Sequence, residues 1–439
     1  MRGSLWPIPL LGVVVAIALG VGLPAVDEVL EDGGGASPLT FVFGGGPSAA
    51  RDLLAAIAGS LISVTGLVFS LTVVALQLGS SQYSPRLLAT FVTDRVVQLT
   101  LAQLVLTFVY ALTVLRTVRT QDASEFDYAF VPRLSITVAY LLTLGAVVAL
   151  VLFLGHLARS LRVETMLRDV HDEAVDTYDD VLGTDPPGPR SAVRLPEGPA
   201  TPLAATSSGF LVEVDEQALA AAARGCDALV VLDLRIGDSV VAGTPLAHAW
   251  APPGTDLDPL RRALGTAVEL DFERATRSDV AYSLRKVVDI AARALSSGIN
   301  DPTTAVHALS HVSALLGDLV HRRLEPVEAH DEDGVLRVVV PQWDLPALLH
   351  VALEEPLEYA GGSPAVLRRL AGLLRELAWR APEGTVDDAV REGVERVCRV
   401  AAETTSVPTE ETAVWRRSVE DALAGTWAPR LHPHGTETG

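Results

Sequence analysis

Four apolar stretches, each as long as a bilayer is thick, fall within the first 160 residues of this 439-residue chain. A membrane helix needs about 20 mostly apolar residues. The stretches run from about Leu5 to Val26, Leu53 to Leu78, Val96 to Leu115 and Leu134 to Leu157. Trp6 stands at the start of the first, where an amphipathic ring favours the interface. A secretory signal has a shorter apolar run and more basic residues ahead of it. Only Arg2 precedes this one, so the reading is an uncleaved anchor.

The composition agrees with a two-part chain. Hydrophobic residues make up 49%, charged residues 20%, and mean hydropathy is +0.33. That is too apolar for an ordinary soluble domain and too charged for a pure membrane protein. The net charge is -20, from 34 Lys+Arg against 54 Asp+Glu. Such an acidic chain is a poor partner for nucleic acid, which needs clustered cations. Two cysteines, Cys226 and Cys398, make neither a disulfide framework nor a Cys-rich zinc site. Lys286 is the only lysine.

Arginine placement orients the spans. The loop after the first span carries Asp27, Glu28, Glu31 and Asp32 and no cation before Arg51. Arg86 and Arg95 follow the second span; Arg159, Arg162 and Arg168 follow the fourth. Both termini are therefore expected in the cytoplasm. The loop after the third span mixes Arg116, Arg119 and Arg133 with Asp122, Glu125 and Asp127, and lies outside by parity. Residues 1–159 hold eight Arg and nine acids; the remainder holds 26 cations and 45 acids. The acidity thus belongs to the expected cytoplasmic part, which anionic headgroups would repel.

The expected fold class is a four-helix α-helical transmembrane domain plus a cytoplasmic α+β domain. The transmembrane domain is residues 1–158, and a helix continuing the fourth span forms a stalk over 159–182. A linker at 183–205 holds Pro186, Pro187, Pro189, Pro196, Pro199 and Pro202. Residues 206–252 read as a small β-rich module: Gly209–Asp215 alternates, Ala228–Leu234 is a strand, and Gly-Asp and Ala-Gly pairs supply turns. The pattern is similar to the barrel-sandwich of biotinyl and lipoyl carriers, but no lysine stands at a hairpin tip, so carrier chemistry is excluded. Residues 253–425 read as mainly a helical bundle, with one strand at Val335–Val340, and 426–439 as a tail.

The second span carries the most informative pattern. Ser63, Ser70 and Gln77 lie seven apart, as do Gly59 and Gly66, and Ser60 precedes Ser63 by three. At helical spacing they form one small, hydroxyl-bearing stripe, with Thr65 and Thr72 roughly opposite. Small residues let helices pack closely; the same stripe, repeated in several subunits, can line a pore. No span holds Asp, Glu, Lys or Arg in its apolar centre, which disfavours a proton pump. His156, at the cytoplasmic end of the fourth span, reads as structural. Tyr83, Ser84 and Arg86 leave the second span as an anchoring cap or as a gate at the inner mouth.

Two runs resemble a known family. One is Ile57-Ala-Gly-Ser-Leu-Ile-Ser-Val-Thr-Gly-Leu-Val-Phe-Ser-Leu-Thr-Val-Val-Ala-Leu-Gln-Leu-Gly-Ser-Ser-Gln-Tyr-Ser-Pro-Arg86; the other is Val288-Asp-Ile-Ala-Ala-Arg-Ala-Leu-Ser-Ser-Gly-Ile-Asn-Asp-Pro302. Both are similar to the signatures of a bacterial predicted membrane-protein family, domain of unknown function number twenty-two fifty-four. The resemblance covers most of the chain and implies a bacterial plasma (inner) membrane and the same two-part layout, and it brings no activity. It departs at Pro356-Leu-Glu-Tyr-Ala360, where an Ile-Arg pair ahead of a Tyr-Gly step is expected. A family role for that arginine does not carry over.

Three smaller features complete the reading. Ser296, Gly298, Asn300, Asp301 and Thr303 form a turn that can offer free N–H groups to an anion, although Asp301 already suits the helix cap. His307 and His311 share a helix face, but no third ligand stands nearby, so no metal is expected. No phosphate loop or nucleophile elbow occurs, so no enzyme activity and no cofactor are expected. The expected partners are the lipid bilayer and further copies of this chain. The expected function is an oligomeric passive ion channel or pore; the alternative is a membrane-anchored sensor or scaffold that binds a partner or small ligand.

Overall fold

The computed structural model describes residues 6–32, 43–82, 94–119, 130–160, 162–183, 194–274, 278–404 and 407–427. The chain divides into two units, residues 1–166 and 167–439.

The first unit contains α1 (Pro7–Asp32), α2 (Pro47–Gln82), α3 (Arg95–Leu115) and α4 (Arg133–Ser160). All four are long and apolar enough to cross a membrane. The 36 residues of α2 rise about 54 Å at 1.5 Å each, well beyond a hydrocarbon core of about 30 Å. The centre is α3, which packs against α1, α2 and α4 and buries Leu101, Leu104, Thr107, Tyr110 and Val114. Close approach of α1 depends on glycine: a Cβ at Gly20 would fall 2.7 Å from Thr113 Cβ. Outward faces carry Leu10, Val14, Leu141, Val147 and Leu152, all exposed, as a lipid-facing surface requires.

Polar ties set the helix directions. Asp27, near the end of α1, is buried and accepts from Leu134 N (2.9 Å), Ser135 N (3.0 Å) and Ser135 Oγ (2.6 Å), in the first turn of α4. Asp94 caps the start of α3, accepting from Val96 N at 2.8 Å, and meets His156 Nε2 near the end of α4 at 2.5 Å. The end of α1 therefore meets the start of α4, and the start of α3 meets the end of α4. That is the alternation that successive membrane crossings need.

The expected stalk is not a continuation of the fourth span. α4 ends at Ser160, Arg162 lies in a bend, and a separate helix, α5 (Val163–Leu182), follows. Ser160 Oγ donates to the His156 carbonyl at 3.0 Å in the last turn of α4.

The second unit combines two sheets with a helical layer. Its first elements are β1 (Thr201–Ala204), β2 (Gly209–Val214), α6 (Glu216–Gly225), β3 (Leu229–Leu232), β4 (Ser239–Val240), β5 (Pro245–Trp250), α7 (Asp258–Ala267) and β6 (Val268–Asp271). Then come α8 (Val280–Leu295), α9 (Pro302–Leu319), β7 (Val327–His330), β8 (Leu336–Val340), α10 (Leu345–Tyr359), α11 (Pro364–Arg380), α12 (Asp387–Thr404) and α13 (Thr409–Leu423). One sheet has the order β1-β5-β3-β8-β7, the other β4-β2-β6. Leu203, Leu211, Leu219, Val230, Leu246, Leu260 and Val338 form their shared core.

The β module is not closed within 206–252 as expected. β8 pairs in parallel with β3, Val230 opposite Val338, and β6 pairs with β2. The reason is backbone accounting: the buried run Val338–Val340 needs ladder partners on its N–H and C=O groups. The open flank of β3 supplies them. α8 packs on α9 and α10, and α11 on α9, α12 and α13. Gly237, at φ +91°, lies where a Cβ would strike Asp279, whose carboxylate is buried against Arg274 and caps α8.

Candidate functional site

Helix α2 turns one face into its own unit. Leu54, Ile57, Ala58, Leu61, Val68, Thr72 and Ala75 are buried there. Thr65 Oγ1 and Thr72 Oγ1 donate back to the carbonyls of Leu61 and Val68, at 2.7 and 2.8 Å. The small stripe takes the other side: Gly59, Ser60, Ser63, Gly66, Ser70 and Gln77 are all exposed. A Cβ at Gly59 or Gly66 would meet no atom within 4 Å. Among the described residues the stripe therefore does not pack α2 against the other helices of its own unit.

Its spacing is regular. Gly59, Ser63, Gly66, Ser70, Val73 and Gln77 alternate steps of four and three, and Asp52 and Ala56 extend the series upstream. All eight are exposed. A 3-4 step is the geometry of two helices crossing at a shallow left-handed angle. Ser60 and Ser63 donate to the carbonyls of Ile57 and Gly59, both at 3.1 Å, which satisfies the hydroxyl hydrogens and leaves the oxygens facing outward. Ile62, Leu67 and Phe69 flank the seam, exposed as well. Tyr83, Ser84 and Arg86, expected at the inner mouth, lie outside the described residues.

The sequence pattern did not single out the polar residues of α3. Gln98, Thr100 and Thr107 are buried inside the unit. Gln103 Nε2 donates to the Leu142 carbonyl of α4 at 3.1 Å, and Tyr110 Oη to the Ser135 carbonyl at 3.0 Å. The signal was available: Thr100, Gln103, Thr107, Tyr110 and Val114 step by three and four. So the hydroxyls of α3 serve packing within the unit, whereas Ser60, Ser63 and Ser70 of α2 do not among the described residues.

The turn before α9 is a cap. Asp301 accepts from Thr303 N and Thr304 N, both at 3.1 Å, and from Thr304 Oγ1 at 2.6 Å. The Thr304 hydroxyl and amide, with the Thr303 amide, hold its carboxyl below the ordinary carboxylate value. The N–H groups that an anion would need are thus taken. Gly298 and Asn300 are exposed, Ser296 is half-buried, and Asn300 adopts φ +49° to make the reversal. His307 is exposed, while His311 is partly covered by His171 of α5. Among the described residues no three His, Cys, Asp or Glu side chains are placed to hold a metal ion.

Comparison with known proteins bears on the whole chain. The sequence profile of a family described as "Predicted membrane protein (DUF2254)" matches residues 2–376. That range takes in the four long helices and most of the downstream unit. Two uncharacterized proteins, from Mycobacterium tuberculosis and Mycobacterium bovis, are each 34% identical over 411 residues, 91% of this chain and 77% of the relative. No solved structure matches.

Proposed function

The chain belongs to the DUF2254 family of predicted membrane proteins, and we propose that it acts as an oligomeric passive ion pore of the bacterial plasma membrane. The α2 seam faces the path, both termini lie in the cytoplasm, and the downstream unit, on that side, assembles or gates the pore. One observation carries this reading: the face of α2 that bears Gly59, Ser63, Gly66, Ser70 and Gln77 points away from the described helices of its own unit. Hydroxyl oxygens and a glutamine amide gain nothing from acyl chains. Against protein or water they gain contacts and hydrogen bonds.

Magnitudes favour assembly through close contact first. An interhelical hydrogen bond in a membrane contributes only about 0.6 kcal/mol on average, so the hydroxyls alone do not hold subunits together. Gly59 and Gly66 add backbone approach and its dispersion. Asp52 extends the seam at the end of α2 that the arginine pattern places outside. In an assembled ring its carboxylates favour cations.

Purified protein in liposomes tests this. Ion flux that Ser70→Trp or Gln77→Leu abolishes without unfolding supports the pore, and Asp52→Asn lowers its preference for cations. Cysteines at Ser63 or Ser70 cross-link between chains, while cysteines at Thr65 or Thr72 do not. The natural Cys226 and Cys398 are buried and give little background. The second reading, a sensor or scaffold, draws on the same seam: Gly59 and Gly66 let two α2 helices close without a lumen. Cross-links without flux, across voltage, tension and pH, select it and reject the pore.

A further inference from the structure

α5 docks through one amphipathic face, on which Leu167, Val170, Ala174 and Tyr178 are buried at helical spacing. His171 shares that face. Its ring stands edge-on to His311 of α9, with centroids 5.0 Å apart. His171 Nδ1 is enclosed and has no hydrogen-bond partner among the described residues. We propose that the His171–His311 contact is a proton-sensitive latch: a neutral His311 against the His171 ring keeps α5 on α9, and proton uptake by His311 in the mildly acidic range releases it.

The surroundings decide the sign. A positive charge on His311 would meet Arg168 and His171 from α5 and His307 from its own helix, against one carboxylate, Asp172. Burial first, then His171 and His307, push the His311 imidazole below its ordinary value. Of the charges that α11 brings to α9, Arg369 and Glu376 pair with each other, Glu376 also accepts from Ser313, and Arg380 lies against Gly317, further along α9 than His311. Lys286 of α8 is taken by Glu173 at 2.9 Å. A histidine whose proton the docked state disfavours makes docking strongest above the free imidazole value of about 6.5. That contribution is lost as pH falls through 6.5 toward the lower docked value. The ion pairs Lys286–Glu173 and Arg322–Asp179 involve no histidine and set the docking strength to which the latch adds.

Hydrogen exchange on the full-length protein in lipid nanodiscs tests the latch. Rates are corrected for the intrinsic pH dependence of amide exchange and compared at about pH 7.5 and about pH 5.5, on either side of the imidazole range. The α5 amides lose protection several-fold at the acidic pH, while those of α11 do not. His311→Gln removes this pH dependence and keeps the neutral-pH protection. His311→Phe, which keeps a ring in place without a proton to take up, does the same and decides the matter if His311→Gln fails to fold. Equal α5 protection at both pH values overturns the latch, as does an undiminished acid loss in His311→Phe. The readout is docking rather than conductance, so the latch stands or falls apart from the pore.

Discussion

Asp301 shows how much one side chain can fix. Its carboxylate receives two amides and a hydroxyl at the start of α9. Replacing such a cap with alanine costs about 0.5–2 kcal/mol. Because those bonds depress the folded-state value, the stabilisation is complete above the ordinary carboxylate range. It is lost as pH falls through the folded value. The expected outcome is that Asp301→Ala unfolds at lower temperature than wild type at neutral pH, with the gap closing at strongly acidic pH. A gap that stays constant into strong acid contradicts the cap. This residue was legible because Asp-Pro-Thr-Thr is a local signal. Asp27 and Asp94 were not: Ser135 and His156, their partners, lie 108 and 62 residues away, and no pattern within one helix points across that distance.

At the scale of elements, periodicity was a good guide to helices and a poor one to strands. α8 through α13 follow stripes that a helix buries on one side, and the four long helices follow from apolar length. The strands β1, β6 and β7 are four residues each, too short for alternation to speak. They exist because longer neighbours offer open edges. The stripe on α2 lies on one exposed face, and the sequence could not say which way that face turns. That depends on which side of α2 packs against α3. For α5 a helix was visible and its bearing surface was not. Lys286, the only lysine, is 4% exposed, its Nζ held by Glu173. Tyr178, fully buried, anchors the same helix. Emptying a site of this kind costs about 3–5 kcal/mol. Amine-reactive reagents are therefore expected to modify Lys286 slowly in the wild type and much faster in Tyr178→Ala, as read by peptide mass mapping. Rapid modification of the wild type contradicts an α5 that covers Lys286.

At the scale of the whole molecule the charge is segregated: residues after Arg159 hold 45 acids against 26 cations, while residues 1–159 are nearly balanced. Two opposing salt effects follow. Surface pairs such as Arg368–Glu411, Arg391–Glu420 and Arg416–Glu395 weaken as salt screens them. Each contributes little, because water and salt screen an exposed pair. The excess acids repel one another throughout the unit, and screening over a Debye length of about 10 Å at 0.1 M relieves that repulsion. Repulsion outweighs the pairs because it acts among all the excess carboxylates, whereas each pair acts once. A fragment spanning residues 163–427, which contains both sheets and their shared core, is thus expected to fold in water and unfold cooperatively. Its melting temperature should rise with monovalent salt, and it should not sediment with anionic vesicles at low salt, where attraction to headgroups would be strongest. A melting temperature that falls with salt would mean that the specific pairs outweigh the net charge. Sedimentation with anionic vesicles would mean that the fragment's arginines gather on one face, and the acidity would then no longer argue that this unit keeps clear of lipid.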